Sequence, residues 1–384
     1  MKKPRQDRTA RSLKIGFVLD DGLDQPDGVQ QYILTLGQWF GSKGHEVRYL
    51  VGESKRRDID GLISLSRNIN VVFNGNSLSI PLVSSSKRIK EVIEREKFDV
   101  IHVQVPYSPV MGAKVVKYSA GKSAIVGTFH VLPLSRLHAW GSRLLFMALR
   151  RNLKHIGKHF AVSEPAQKFA KEYYGIDSEV LGNPIRISRL YSSVKDRPKD
   201  FTIVFLGRLV PRKGCLLLLQ AISKLDDNLK AQINVKIGGS GPQKAKLESY
   251  AEQNNLSGVV KFYGFVPENQ KNEFLRTADL AVFPSYAGES FGIVLLEAME
   301  SFGPVVMAGN NPGYASVMSD DTANIFDPDD TAGLARRITG YFHNRQKLNQ
   351  SLRRQRRIVK RFAVENIGTK LLDEYAKLLS VSRK

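Results

Sequence analysis

Short apolar runs recur along this chain, and several end at glycine, proline or aspartate. Leu13–Leu19 (LKIGFVL) is the first, followed by the turn-forming stretch Asp20-Asp21-Gly22-Leu23-Asp24-Gln25-Pro26-Asp27-Gly28-Val29. Such a run predicts a strand buried on both faces, as in a parallel sheet. The period then changes: across Gln30–Lys43, Tyr32, Leu36, Trp39 and Phe40 fall on or near one helical face, and Gly44 ends the helix. Val47–Val51 is the next strand. The three elements make a βαβ unit with a glycine-bearing loop at the carboxyl end of its first strand, where open α/β sheets take ligands.

The alternation continues. A helix opens over Ser84–Ile93, and strands follow at Asp99–Val103 and Ala124–Phe129, the latter ending at His130. Arg136–Lys158 is a basic helical region, Phe160–Val162 a strand, and Gly182-Asn183-Pro184 a loop. Lys195–Asp200 (KDRPKD) is polar and carries proline, which makes it the best linker. The second half starts afresh with the strand Phe201–Leu206, the loop Gly207-Arg208, Lys213-Gly214 and a helix over Cys215–Leu225. Strands at Ile233–Ile237, Val259–Tyr263, Asp279–Ser285 and Val305–Met307 follow, and the chain is mostly helical from Thr331, ending with Asn366–Leu379. This order predicts an α/β protein of two doubly wound parallel sheets.

The most informative loop is Gly288-Glu289-Ser290-Phe291-Gly292, between a strand and a helix that starts at Ile293. A strand, a glycine-bounded loop and a helix N-terminus together aim free N–H groups at an anion. Glu289 and Glu297 are eight positions apart (297 − 289), about 80° off a repeated helical face, so both acids can line one cleft at different depths.

Composition narrows the partners. At 384 residues the chain suits two domains, and its formal charge of +21 attracts nucleic acid, anionic lipid or polyanionic substrates. The single cysteine, Cys215, excludes an internal disulfide and fits a reducing compartment. No run approaches a membrane span, and the basic N-terminus lacks the apolar core of a signal peptide, so a cytoplasmic protein is expected. The run Arg353, Arg354, Arg356, Arg357 has no interleaved aromatics, which points to a solvated helix face and to no specific nucleic acid.

Candidate chemistry sits where strands give way to loops. Arg208 and Lys213 lie five positions apart, flanked by glycines, and can hold a diphosphate, the arginine by its fork and the lysine as a point charge. Either alone also fits surface charge. His130 ends a buried strand; a lone histidine there is more often a satisfied core residue than a catalyst, and its candidacy rests on position. Gly28 fits a tight loop that a phosphate approaches, or an ordinary turn. GxGxxG, the Walker A pattern and the GxSxG elbow are absent. No metal site is evident, since His102, His130, His155 and His159 lack partners at ligand spacing; His155 and His159 read as surface residues.

The ordered segments GRLVPRKG, IGGSGP, YGFVPENQK and PSYAGESFGIVLLEAM, with PDGVQQY, GHEV, FDVIHVQ, GTFH, AVSE and GNP before them, resemble the retaining glycosyltransferases of family four. The likeness runs through nearly the whole chain from Leu13, and is strongest to phosphatidylinositol mannosyltransferases. It implies a GT-B fold: two Rossmann-like domains facing a cleft, an acceptor-side domain over residues 1–195 completed by a last helix at 365–384, and a nucleotide-sugar domain over 196–364. It implies a hexosyltransferase with no tightly bound cofactor, using a nucleotide sugar, GDP-mannose by resemblance. The expected acceptor is a membrane lipid such as phosphatidylinositol. A soluble or polyprenyl-linked saccharide acceptor with a UDP-sugar donor is the alternative. No obligate protein partner is evident.

By position, the resemblance implies that Gly28, Arg208 and Lys213 contact the donor diphosphate, with the amides of Phe291 and Gly292 and the adjoining Ser290 and Ile293. His130 and Glu289 would meet the transferred sugar, Glu297 the ribose, and Val266, Glu268 and Lys271 the base. Lys87, Arg88, Lys90 and Arg136 would face acceptor and membrane, giving a protein peripheral on the inner face of the plasma membrane. Read locally, these basic helical regions fit a membrane interface or a solvated face equally. Two departures stand out: Asp27 where a glycine is usual, and Gln104-Val105 in place of a common His-Glu pair, which bear on the acceptor side.

Overall fold

A computed structural model of the chain describes residues 11–24, 27–73, 76–106, 108–130, 151–187 and 200–381. Strands β1 (Lys14–Leu19), β2 (Glu46–Val51), β3 (Leu62–Ser64), β6 (Val100–Gln104), β7 (Ala124–Phe129), β8 (Lys158–Ala161) and β9 (Glu179–Val180) form one parallel sheet in the order β3-β2-β1-β6-β7-β8-β9. Between them, β4 (Ser66–Phe73) and β5 (Asn76–Ser84) pair as an antiparallel hairpin. Its polar and apolar residues alternate, so it shows no uninterrupted apolar run of the kind that marks the buried strands.

The second sheet contains β10 (Phe201–Leu206), β11 (Ile233–Gly238), β12 (Val260–Gly264), β13 (Leu280–Phe283), β14 (Val305–Gly309) and β15 (Ile325–Phe326), ordered β12-β11-β10-β13-β14-β15. β1, β6, β7, β10, β13 and β14 are buried almost throughout, because helices cover both faces of a parallel sheet. In each sheet the strand order reverses beside the first strand, between β1 and β6 and between β10 and β13. Such switch points open a crevice at the carboxyl ends of the strands.

The chain crosses between the halves near its end. Ile185 N–H donates to Phe362 O at 2.8 Å, and Val364 N–H donates to Ile185 O at 2.9 Å. The helix Val364–Val381 then lies against Gly28–Ser42, sharing a core with Phe17, Tyr32 and Trp39. Among the described residues no helix is long and apolar enough to cross a membrane.

Candidate active site

The loop after β10 closes with a single tight turn, Pro211–Lys213, capped by Gly214 at φ +71°. A Cβ at Gly214 would lie 2.3 Å from the carbonyl oxygen of Pro284, so glycine lets this loop rest on the loop after β13. That approach brings two cations onto one acid. Lys213 Nζ lies 2.8 Å and Arg212 Nη1 2.9 Å from Glu289 Oε1, and Ser285 Oγ donates to the same oxygen at 2.9 Å. Burial alone would raise the pKa of Glu289, but Lys213 and Arg212 outweigh it and hold the acid below its ordinary value. Arg208 is half-buried nearby; burial lowers its pKa, while Asp27 and Glu289 oppose the shift. The guanidinium remains charged.

The helix Ile293–Glu300 begins immediately after this loop. Its N-cap, Gly292, sits at φ +109° and has no side chain with which to cap the first amides. Across the gap, Gly28 opens the helix Gly28–Ser42, whose N-cap Asp27 also makes no side-chain capping bond. A Cβ built at Gly28 would lie only 3.7 Å from Ile293 Cγ2. Two uncapped helix N-termini, one from each half, therefore border the same space, each carrying roughly half a positive charge.

Beside them lies a cavity of about 430 Å³, walled by Gln31 and Arg186 from one half and Lys271, Ile293 and Glu297 from the other. Lys271 Nζ bridges Glu268 at 2.6 Å and Glu297 at 3.4 Å. Burial pulls the pKa of Lys271 down, but the two acids more than reverse it. Gln31 Nε2 donates to Glu268 at 3.4 Å, joining the halves. Ser163 Oγ does the same at 2.5 Å to the carbonyl of Ser290, while the buried ring of Phe291 stands edge-on to Phe362 at 5.3 Å.

His130 follows β7 and is buried. Its Nε2 lies 2.7 Å from Gln104 Oε1, and the ring of Tyr32 meets it edge-on at 4.9 Å. Burial pushes its pKa down to about 3, so the imidazole is neutral near pH 7.

Val266 is buried in the apolar core against Gly238. Lys87, Arg88 and Lys90 are exposed on the helix Ser86–Glu96, where Lys90 Nζ sits 5.0 Å from the ring of Tyr118. Arg136 falls outside the described residues. His155 is exposed, but His159 is half-buried, with its pKa pushed down to about 4 by burial, which corrects its reading as a surface residue. The arginine run is also more than a solvated face: Arg354 Nε pairs with the buried Asp321 at 2.9 Å, and Arg356 lies over the ring of Phe302 at 5.6 Å. Among the described residues no three His, Cys, Asp or Glu groups gather as a metal site.

Arg212, Ser285 and the Gln104–His130 contact were not singled out as site features from sequence. Arg212 adjoins Lys213, but only the tight turn reveals that both reach Glu289. Gln104 and His130 are 26 positions apart and meet because β6 and β7 are neighbours.

Two open parallel sheets whose strand-end loops face each other across a cleft are the architecture of the GT-B glycosyltransferases, and comparison with known proteins gives the same class. Residues 26–189 match the family described as Glycosyltransferase Family 4, and residues 191–358 match Glycosyl transferases group 1. The two matches run through both halves, and the chain belongs to this glycosyltransferase family and is a transferase enzyme. It is similar to the phosphatidyl-myo-inositol mannosyltransferase of Mycolicibacterium smegmatis, 29% identical over 87% of this chain and 86% of that protein. In fold it is similar to Anabaena HepE, solved with UDP-glucose, at a TM-score of 0.74 and 20% identity over 95% of this chain and all (100%) of that one. A glycosyltransferase from Rickettsia africae gives 0.74 at 16% identity, covering 96% and 99% of the two chains.

Proposed function

We propose that the protein moves mannose from GDP-mannose, with retention at the anomeric carbon, to a phosphatidylinositol-type lipid on the inner face of the plasma membrane. Residues 1–195 with the last helix take the acceptor; residues 196–364 take the nucleotide sugar. The observation that carries the reading is the pair of uncapped helix N-termini at Gly28 and Ile293, with Lys213 and Arg208 close by. Such a set holds a diphosphate and stabilises the charge that grows on it as the sugar leaves.

In this reading Gly28, Arg208, Lys213, Ser290, Phe291, Gly292 and Ile293 hold the diphosphate. His130 and Glu289 border the hexose, Glu297 the ribose, and Val266, Glu268 and Lys271 the base. Glu289 is engaged by Lys213 and Arg212, which makes it a poor nucleophile toward the sugar. The acceptor hydroxyl therefore attacks from the face the diphosphate leaves. The C1–phosphate oxygen bond breaks, the C1–acceptor oxygen bond forms, and the acceptor proton passes to the departing diphosphate oxygen.

The mycolicibacterial relative's name supports a lipid acceptor. So do the exposed Lys87, Arg88 and Lys90, preceded by Val83 at 61% exposure on a hairpin that also carries Ile69 at 46%. Each cation close to anionic lipid contributes about 1 kcal/mol. Labelled GDP-mannose incubated with phosphatidylinositol vesicles is expected to place label in the lipid extract. Label from UDP-sugars only, or in water-soluble product only, would replace the donor or acceptor assignment. A thermal-shift panel of GDP, UDP and ADP identifies the base, since a ligand of the folded state raises its midpoint. Failure to float with anionic vesicles at low salt would remove the membrane part.

A further inference from the structure

We infer that Gln104 is a positioning residue that fixes the tautomer of His130, placing the ring proton on Nε2 and leaving Nδ1 as the lone-pair nitrogen available to a sugar hydroxyl. The inference deepens the proposed function and rests on it for the sugar. The bonding pattern dictates the proton. Gln104 Nε2 donates to the carbonyl of His102 at 3.3 Å, a group that can only accept. This turns Oε1 of the same amide toward His130, 2.7 Å from its Nε2. An amide oxygen can only accept as well, so the imidazole nitrogen facing it must carry the hydrogen. Among the described residues His130 makes no other hydrogen bond.

The support behind Gln104 is built from three elements. His102 is fully buried, with Nδ1 2.6 Å from the hydroxyl of Tyr375 on the last helix and Nε2 2.7 Å from Thr128 Oγ1 on β7. Gln104 pairs in register with Thr128, so the strand that presents His130 also fixes the height of Gln104. The next residue, Val105, sits at φ 53°, a region that β-branched residues seldom enter. Its N–H still donates to Thr128 O at 2.9 Å, so the chain keeps its pairing and turns away only after Gln104 has been placed. Strain held beside a site is a mark of positioning. Gln104 thus acts on the sugar side, where its sequence position had pointed to the acceptor.

Nitrogen-15 spectra of the ligand-free, histidine-labelled protein test this without turnover. The expected His130 signals are a protonated, pyrrole-type Nε2 and a pyridine-type Nδ1; a proton on Nδ1 overturns the inference. Gln104→Leu should mix the two tautomers and lower kcat by ~10²-fold, the order associated with misplacing a reacting group. The donor KM should change little, as for an interaction made in the transition state. Gln104→Glu, which keeps an acceptor, should return the Nε2–H signature. A folded Gln104→Leu protein with wild-type tautomer and kcat also overturns it, and if that variant does not fold, the wild-type spectrum decides. A wild-type protein that transfers no sugar but shows the expected tautomer would refute the function while leaving this assignment standing.

Discussion

Glu289→Gln separates charge from shape at the centre of the site. The amide keeps an oxygen for Ser285 but removes the charge facing Lys213 at 2.8 Å and Arg212 at 2.9 Å. A hydrogen bond to a charged group is worth about 1.5–3 kcal/mol and a neutral one about 0.5–1.5. Two such exchanges in a buried setting therefore cost about 2 kcal/mol of stability at neutral pH. For a half of this size that is a fall of roughly 4–8 °C in the unfolding midpoint. The pH dependence has a definite sign. The folded-state pKa of Glu289 lies below its ordinary 4.5, so its stabilisation is complete above that value and is lost as pH falls through the depressed one. Glutamine does not titrate. Thermal unfolding of both proteins should show a constant gap from pH 7 to about 5, closing as the acid limb is entered. A gap of unchanged size in acid, or none at pH 7, would refute the ion-pair account. Sugar transfer should fall by ~100-fold in parallel.

Other perturbations probe the rest of the cleft. Asp27 sets a carboxylate beside Arg208 and caps nothing through its side chain, so Asp27→Asn should tighten nucleoside diphosphate binding by roughly fivefold, equivalent to about 1 kcal/mol, in calorimetry; weaker binding would mean that Asp27 positions Arg208. Lys271→Met leaves Glu268 and Glu297 without their shared cation, and should raise the donor KM by ~10-fold with a smaller change in kcat. An unchanged KM would detach Lys271 from the nucleotide. Lys213→Ala should lower kcat/KM by ~100-fold or more, and near-normal turnover would reject its place on the diphosphate. At Gly368 a Cβ would come 2.4 Å from the Trp39 ring, so Gly368→Ala should lower stability by about 1–3 kcal/mol in a denaturant titration, and a neutral result would show that the last helix shifts freely.

Much of this molecule is legible in its sequence, for local reasons. Uninterrupted apolar runs such as Phe201–Leu206 and Ala124–Phe129 are strands because both faces of a parallel sheet are covered, and the structure has them at those bounds. Glycines at 214 and 292 mark loops because positive φ is a property of the residue itself. The ordered motifs reach as far as the glycosyltransferase family, since they record how backbone approaches a ligand. Tertiary structure alone decided which groups meet. Whether Arg208 or Arg212 takes Glu289 depends on one tight turn between adjacent loops. The hairpin β4–β5 lacks an uninterrupted apolar run; its signal is the alternation of polar and apolar residues about Asn74-Gly75, a hairpin pattern rather than that of a buried strand. Gln104 and His130 touch through strand order, and Tyr375 reaches His102 only because the last helix returns to the first sheet. Periodicity specifies what one element buries; side chains far apart in sequence become partners only once packing has ordered the strands.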